Sequence, residues 1–189
     1  TWGANYRLYH SKINDTETIA FNPRGQINHL GGIYVRDEIT LIPDQLFFTI
    51  GSRFDHNDFS GWEIQPNARL MWMPDAKNSV WAAVSRAVRT PSRAEHDIRL
   101  NTQITNALPG LVNPLPFPVL SQVQGTPSFN AEKLLAYELG YRHQFTFQAS
   151  IDIAAFFNDY SQLRDLSAGV PIFQNNFPQH LILPVALTN

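Results

Sequence analysis

Alternation of apolar and polar residues with a period of two, repeated from one segment to the next, is the feature that most constrains this chain. In the stretch 62–91, Trp62, Ile64, Pro66, Ala68, Leu70 and Trp72 fall on one face, while Glu63, Gln65, Asn67, Arg69 and Met71 fall on the other. A short polar break from Met73 to Asn78 follows. Val80, Ala82, Val84 and Val88 then alternate with Ala83, Ser85, Ala87 and Arg89. This pattern predicts a hairpin with one greasy side and a tight turn at one end.

The same pattern recurs along the chain. Residues 2–9 put Trp2, Ala4, Tyr6 and Leu8 on one face, and residues 30–41 do the same with Ile33, Val35, Ile39 and Leu41. Asp37 sits among the latter as a misfit that asks for a polar boundary or a partner across the sheet. After Ile42-Pro43-Asp44-Gln45 turns the chain, residues 46–55 return with Phe48, Ile50 and Phe54 on one side. Residues 129–145 and 149–160 form a last hairpin around Thr146-Phe147-Gln148. The expectation is seven antiparallel strands in up-and-down order, with short turns near residues 43, 75 and 147. Long irregular loops are expected at the other end, over 10–26, over 90–128, where Pro91, Pro109, Pro114, Pro116, Pro118 and Pro127 leave no convincing strand, and beyond 163.

Composition excludes several functions. Aromatic residues make up 12% and charged residues 16%, the latter well below the usual share of about 25%. A formal charge of −2 argues against nucleic acid as a partner, because neutralising phosphates needs clustered Lys and Arg. Cysteine is absent, so there is neither a disulfide framework nor thiolate chemistry. The histidines (His10, His29, His56, His96, His143 and His180) lack metal spacing, so no metal or cofactor is assigned. No nucleophile elbow, phosphate-cradling glycine loop or poised carboxylate pair is visible, and the chain is read as not an enzyme.

No run approaches the length of a transmembrane helix, yet barrel strands hide from hydropathy because only alternate residues are apolar. Short turns at one end, long loops at the other and an apolar band flanked by aromatics suit an outer-membrane barrel. Trp2, Trp62, Trp72, Trp81, Tyr137 and Tyr141 are candidates for its girdles. The same alternation also builds a soluble all-β binding module whose greasy faces pack inward.

Five segments in order carry a resemblance. Gly51-Ser52-Arg53-Phe54-Asp55-His56, Gln65-Pro66-Asn67-Ala68-Arg69-Leu70, Val84-Ser85-Arg86-Ala87-Val88-Arg89-Thr90-Pro91-Ser92, Glu132-Lys133 with Tyr137-Glu138-Leu139-Gly140, and Phe156-Phe157-Asn158-Asp159-Tyr160 resemble the barrel of TonB-dependent receptors. The resemblance spans roughly residues 2–166. It implies an outer-membrane active transporter of about 22 strands around a plugged lumen, located in a bacterial outer membrane and in contact with its lipid. It further implies a chelated nutrient as cargo, most often an iron siderophore, and energy from the TonB complex acting through a plug that this chain lacks. Residues 1–189 are accordingly expected to be a partial barrel domain, an internal fragment that transports nothing by itself and self-associates through its unpaired edges or apolar face when isolated.

The family resemblance places ligand at outer loops and lumen-facing residues near the rim. Arg53, Asp55 and Arg89 lie on polar strand faces at the loop-bearing ends, where a guanidinium fork matches an anionic chelate. Charge pairing between neighbouring strands is the alternative reading of the same residues. Arg93, His96 and Arg99, with Asp97, are expected to be exposed in the long loop 90–128 as further candidates for ligand contact.

Overall fold

The computed structural model describes residues 1–105, 116–176 and 178–189. Its elements are β1 (Trp2–Lys12), β2 (Ile19–Phe21), β3 (Gly25–Ile42), β4 (Leu46–Asn57), β5 (Gly61–Asp75), β6 (Asn78–Arg89), α1 (Arg93–Asp97), β7 (Ile98–Thr105), β8 (Val119–Gln124), β9 (Glu132–Thr146), β10 (Ala149–Ser161), β11 (Asp165–Ala168), β12 (Ile172–Gln174) and β13 (His180–Thr188). The chain divides into two compact units. Unit 1 comprises Thr1–Arg7, His29–Arg89 and Glu132–Gln162, and unit 2 comprises Leu8–Asn28, Thr90–Ala131 and Leu163–Asn189.

Unit 1 is built on an antiparallel sheet in the order β1-β3-β4-β5-β6-β9-β10. These are the seven strands that the alternation anticipates. Register decides what the alternation is for. Phe48 pairs with Leu70, Leu70 with Ala82, Ala82 with Leu139 and Leu139 with Ala155, so the greasy positions of successive strands line up across one face. A slip of one residue in any pairing would break this face, which is why the pattern specifies the register so strongly. On the reverse face Thr49, Arg69, Ala83 and Glu138 form one row. The apolar face is open, with Ile33, Ile50, Trp62, Leu139, Ile153 and Phe157 all exposed. Such an extended apolar surface needs an apolar partner.

The turns follow from local chemistry. At the β3–β4 turn Asp44 takes a left-handed conformation (φ 58°) and the Gln45 N–H donates to the Ile42 carbonyl. Asp75 Oδ1 accepts the Lys77 and Asn78 N–H groups and closes β5 onto β6. At the opposite end of the strands Asn57 Oδ1 accepts from Phe59 and Ser60, and Gly61 adopts φ 72°, where a side chain would be strained.

Unit 2 corrects the loop assignment. Residues expected to be irregular supply a second sheet, in the order β11-β13-β8-β7-β2 with β12 on β13, together with the short α1. Its strands were illegible for physical reasons. Ile19–Phe21 is too short to show a period, and Pro184 inside β13 marks that segment as a non-strand. β13 also runs parallel to β8, an arrangement that no hairpin signal announces. Val119, Phe129 and Ala131 are at most 1% exposed and form the core of this unit. Phe129 thus precedes β9 as a core anchor instead of opening the strand. The part of the proline-rich stretch at 106–115 lies outside the described residues.

Candidate functional site

Charged and amide side chains converge on the polar face of unit 1. β4 and β5 place Arg53 directly opposite Gln65, and Asp55 opposite Glu63. Arg53 Nε donates to Asp55 Oδ2 at 2.6 Å, Gln65 Nε2 donates to the same oxygen at 2.8 Å, and Arg53 Nη2 reaches Asn5 Oδ1 at 3.3 Å. Asp55 is only 7% exposed, so burial is offset by two donors on one oxygen. Its second oxygen, Oδ1, accepts nothing and rests over Gly32. A Cβ at Gly32 would overlap this carboxylate. Gly32→Ala is therefore expected to expel Asp55 from its seat and destabilise the sheet by about 1–3 kcal/mol, as read by urea titration of the detergent-refolded protein; Ala must match Gly32 in midpoint for this assignment to fail.

A break in the ladder adds a second charge pair. The pairing of β5 with β6 ends at Asn67 opposite Ser85, next to Pro66, which has no N–H to donate. Side chains bridge the opening. Arg86 donates to the Ile64 carbonyl and pairs with Glu63 at 3.1 Å, while Gln65 Oε1 accepts the Val88 N–H at 3.4 Å. Pro66 within an alternating strand is the signal from which this could have been anticipated. At the end of β6 Arg89 Nε donates to Glu132 Oε2 at 2.6 Å. Arg53, Asp55 and Arg89 are thus all in charge pairs, and the first two form one cluster.

Aromatic placement also sorts the girdle candidates. Trp62 and Trp72 share the apolar face of β5 and stand ten residues apart. At about 3.3 Å per residue and a tilt of about 40°, that is about 25 Å of height, the thickness of an outer-membrane apolar band. Tyr6, beside Gly31, and His56 lie near the Trp62 end, with the His56 and Trp62 rings 5.0 Å apart. Trp72, Val80 and Tyr141 make one row at the other end. Tyr137, opposite Val84, sits between the ends, and Trp2 opens β1 beside the Thr1–Arg36 backbone bonds, likewise away from them. Trp81 is on the opposite, polar face, where its ring lies across Gly140 with the Arg69 guanidinium 4.7 Å from its centroid. Asp37, the misfit of β3, lies opposite Ile50, and its Oδ1 accepts the Glu38 N–H at 3.1 Å.

In unit 2 the structure reverses the expected exposure of two candidates. The Arg93 side chain is only 10% exposed. It donates to Ser11 Oγ at 2.7 Å and to the Pro23 carbonyl, pairs with Asp97 at 3.4 Å and lies over the Phe21 ring. His96, at 9% exposure, is bonded through Nε2 to the Phe129 carbonyl at 2.9 Å. Both are buried because α1 packs into a folded unit, so an exposed polar loop is the wrong description of this segment. Beside them the buried Glu95 accepts the Ser92 N–H at 2.8 Å and pairs with Arg164 at 3.7 Å. Arg99, on β7, is exposed. In the connection between β1 and β2, the Phe21 N–H and then Arg24 hold the Asp15 carboxyl below its usual 3.8. Among the described residues no group of three or more His, Asp and Glu side chains is placed to hold a metal ion, and no helix is long and apolar enough to cross a membrane.

One greasy face, one charged face and rows of aromatics at a membrane's spacing are the marks of a barrel wall. Residues 1–181 match the family described as TonB dependent receptor-like, beta-barrel. The chain belongs to that family. The sheet is accordingly part of a TonB-dependent receptor barrel. Comparison with curated protein sequences finds no match. Among solved structures, a mutant of the ferric enterobactin receptor PfeA from Pseudomonas aeruginosa superposes with a TM-score of 0.70 at 18% identity, over 88% of this chain and 23% of that one. The siderophore receptor PirA from Acinetobacter baumannii gives 0.70 at 17% identity, over 88% and 24%. PirA from Pseudomonas aeruginosa gives 0.62 at 20% identity, over 88% and 29%. The chain spans about a quarter of the length of these receptors, and at such identities the likeness is one of fold.

Proposed function

We propose that this chain is a segment of an outer-membrane receptor that imports a chelated nutrient, with a ferric siderophore as its cargo and the TonB complex as its source of energy. The observation that carries the reading is the two-faced sheet, apolar between Trp62 and Trp72 on one side and charged on the other. A wall of this kind separates lipid from a polar lumen. The likeness of the chain to receptors described as siderophore and ferric enterobactin receptors supports the class of cargo.

Within this reading the candidate residues divide by what already holds them. Arg93 and His96 are enclosed, and their role is to hold unit 2 in shape. Arg53, with its outer nitrogens at a side chain 46% exposed, Asp55 beneath it, and Arg89 line the polar face. Arg99 offers an exposed guanidinium on a strand paired on both sides, suited to an anionic chelate.

The test uses the full receptor chain and ferric enterobactin as probe. Arg99→Ala is expected to weaken binding by about 10- to 100-fold, the worth of a charged hydrogen bond, while leaving the urea midpoint unchanged. Equal affinity in the variant would remove Arg99 from the site, and the absence of any saturable binding of ferric siderophores by the parent receptor would overturn the cargo class.

A further inference from the structure

The apolar face of unit 1 is not smooth. A hollow of about 490 Å³ crosses it, with Val35, Ile50, Pro66, Ala68, Val84 and Leu135 among its walls. That volume is within the range of about 300–1,000 Å³ that holds small ligands. It lies where the ladder between β5 and β6 parts at Pro66, and the small side chains at Ala68 and Ser85 keep it open. The polar groups at its border are engaged or turned away. Arg86 is held by Glu63 and the Ile64 carbonyl, Asp37 accepts the Glu38 N–H, and the Ser52 hydroxyl is sealed from the surface.

We propose that this hollow is a seat for one acyl chain of a membrane phospholipid. The inference rests on the reading of this face as lipid-facing. Three properties select the occupant. A peptide would bring backbone N–H and C=O groups into a hollow with nothing accessible to satisfy them, at several kcal/mol per group in hydrocarbon. A second copy would present a like sheet face to a concavity. A hydrocarbon chain needs no hydrogen bond and regains dispersion contacts that an empty hollow forfeits.

Direction follows from the hairpin. From Ala68, at the edge of the hollow, to the end of β5 at Asp75 is seven residues, about 23 Å of strand, the length over which an acyl chain runs from the turn before its end enters the hollow. The turn that closes the hairpin carries the exposed Lys77, a cation placed to meet an anionic phosphodiester headgroup. The lipid therefore enters from the turn end of the sheet.

The experiment reconstitutes the full receptor chain into vesicles of phosphatidylglycerol and phosphatidylethanolamine, extracts it into mild detergent and counts retained lipid by native mass spectrometry. The parent is expected to keep one phospholipid. Ala68→Phe, which fills the hollow, is expected to lower that retention by about tenfold, equivalent to about 1.4 kcal/mol; Ala155→Phe, on the same face but outside the hollow, is expected to keep it. Equal retention by the parent and Ala68→Phe, both inserted, would overturn the seat alone. Failure of the parent to insert would overturn the lipid-facing reading and the seat with it. If vesicles supplemented with lipopolysaccharide yield retained lipopolysaccharide in place of phospholipid, the assignment to a phospholipid is wrong.

Discussion

Replacing Gly140 with alanine is expected to destabilise the seven-stranded sheet by about 1–3 kcal/mol, because a methyl group there would enter the Trp81 ring. Retreat of the ring would give up its packing on the strand and its contact with Arg69. It lies directly opposite Gly140 in the register, and the Arg69 guanidinium lies 4.7 Å from its centroid. Overpacking against a rigid aromatic plane is costlier than against the end of a flexible chain. A double-mutant cycle isolates the cause. Trp81→Ala alone should also destabilise, through the loss of aromatic packing and of the cation–π contact, but Gly140→Ala added to Trp81→Ala should cost close to nothing. Urea titration of the detergent-refolded protein gives the four midpoints. An undiminished penalty for Gly140→Ala in the absence of the ring would show that the glycine is needed for its backbone and not for the tryptophan.

Arg93→Ala is expected to cost about 3–5 kcal/mol in unit 2, the penalty for removing one member of a buried charge pair. Asp97, whose side chain is 12% exposed, would be left without its guanidinium, and Ser11 and the Pro23 carbonyl would each lose a donor. Arg93→Lys should recover little, because one ammonium cannot reproduce a planar fork that reaches three partners at once. Hydrogen exchange followed by mass spectrometry is the suitable readout, with loss of protection expected over α1, β7 and the segment from Ser11 to Pro23. Retained protection combined with weakened ligand binding would return Arg93 to the contact role that an exposed loop would have given it.

Gly140 and Trp81 are on adjacent strands, and alternation alone gives each its face: Trp81 falls between Val80 and Ala82, both apolar-face residues, so its polar-face position was present in the pattern. As a girdle candidate Trp81 follows residue type against the period. The Arg93 clasp had no such signal. Its partners at Ser11, Pro23 and Asp97 come from different parts of the chain, and only the packing of unit 2 brings them together. The same holds for Asp55, whose polar-face position was legible while its seat over Gly32 and its bond to Gln65 depend on the register between three strands.

Local pattern is therefore enough for the long-strand sheet: seven strands, their antiparallel order, their turns and the separation of an apolar from a charged face. A period of two sustained over eight or more residues leaves few alternatives, and Asp44, Asp75 and Gly61 mark the turns by backbone chemistry that is local. The second sheet, the burial of Arg93, Glu95 and His96, and the hollow beside Pro66 arise only once the chain has packed. Short strands, a parallel pairing and side chains that bridge distant segments draw their stability from contacts made after the chain has folded, so no local pattern records them.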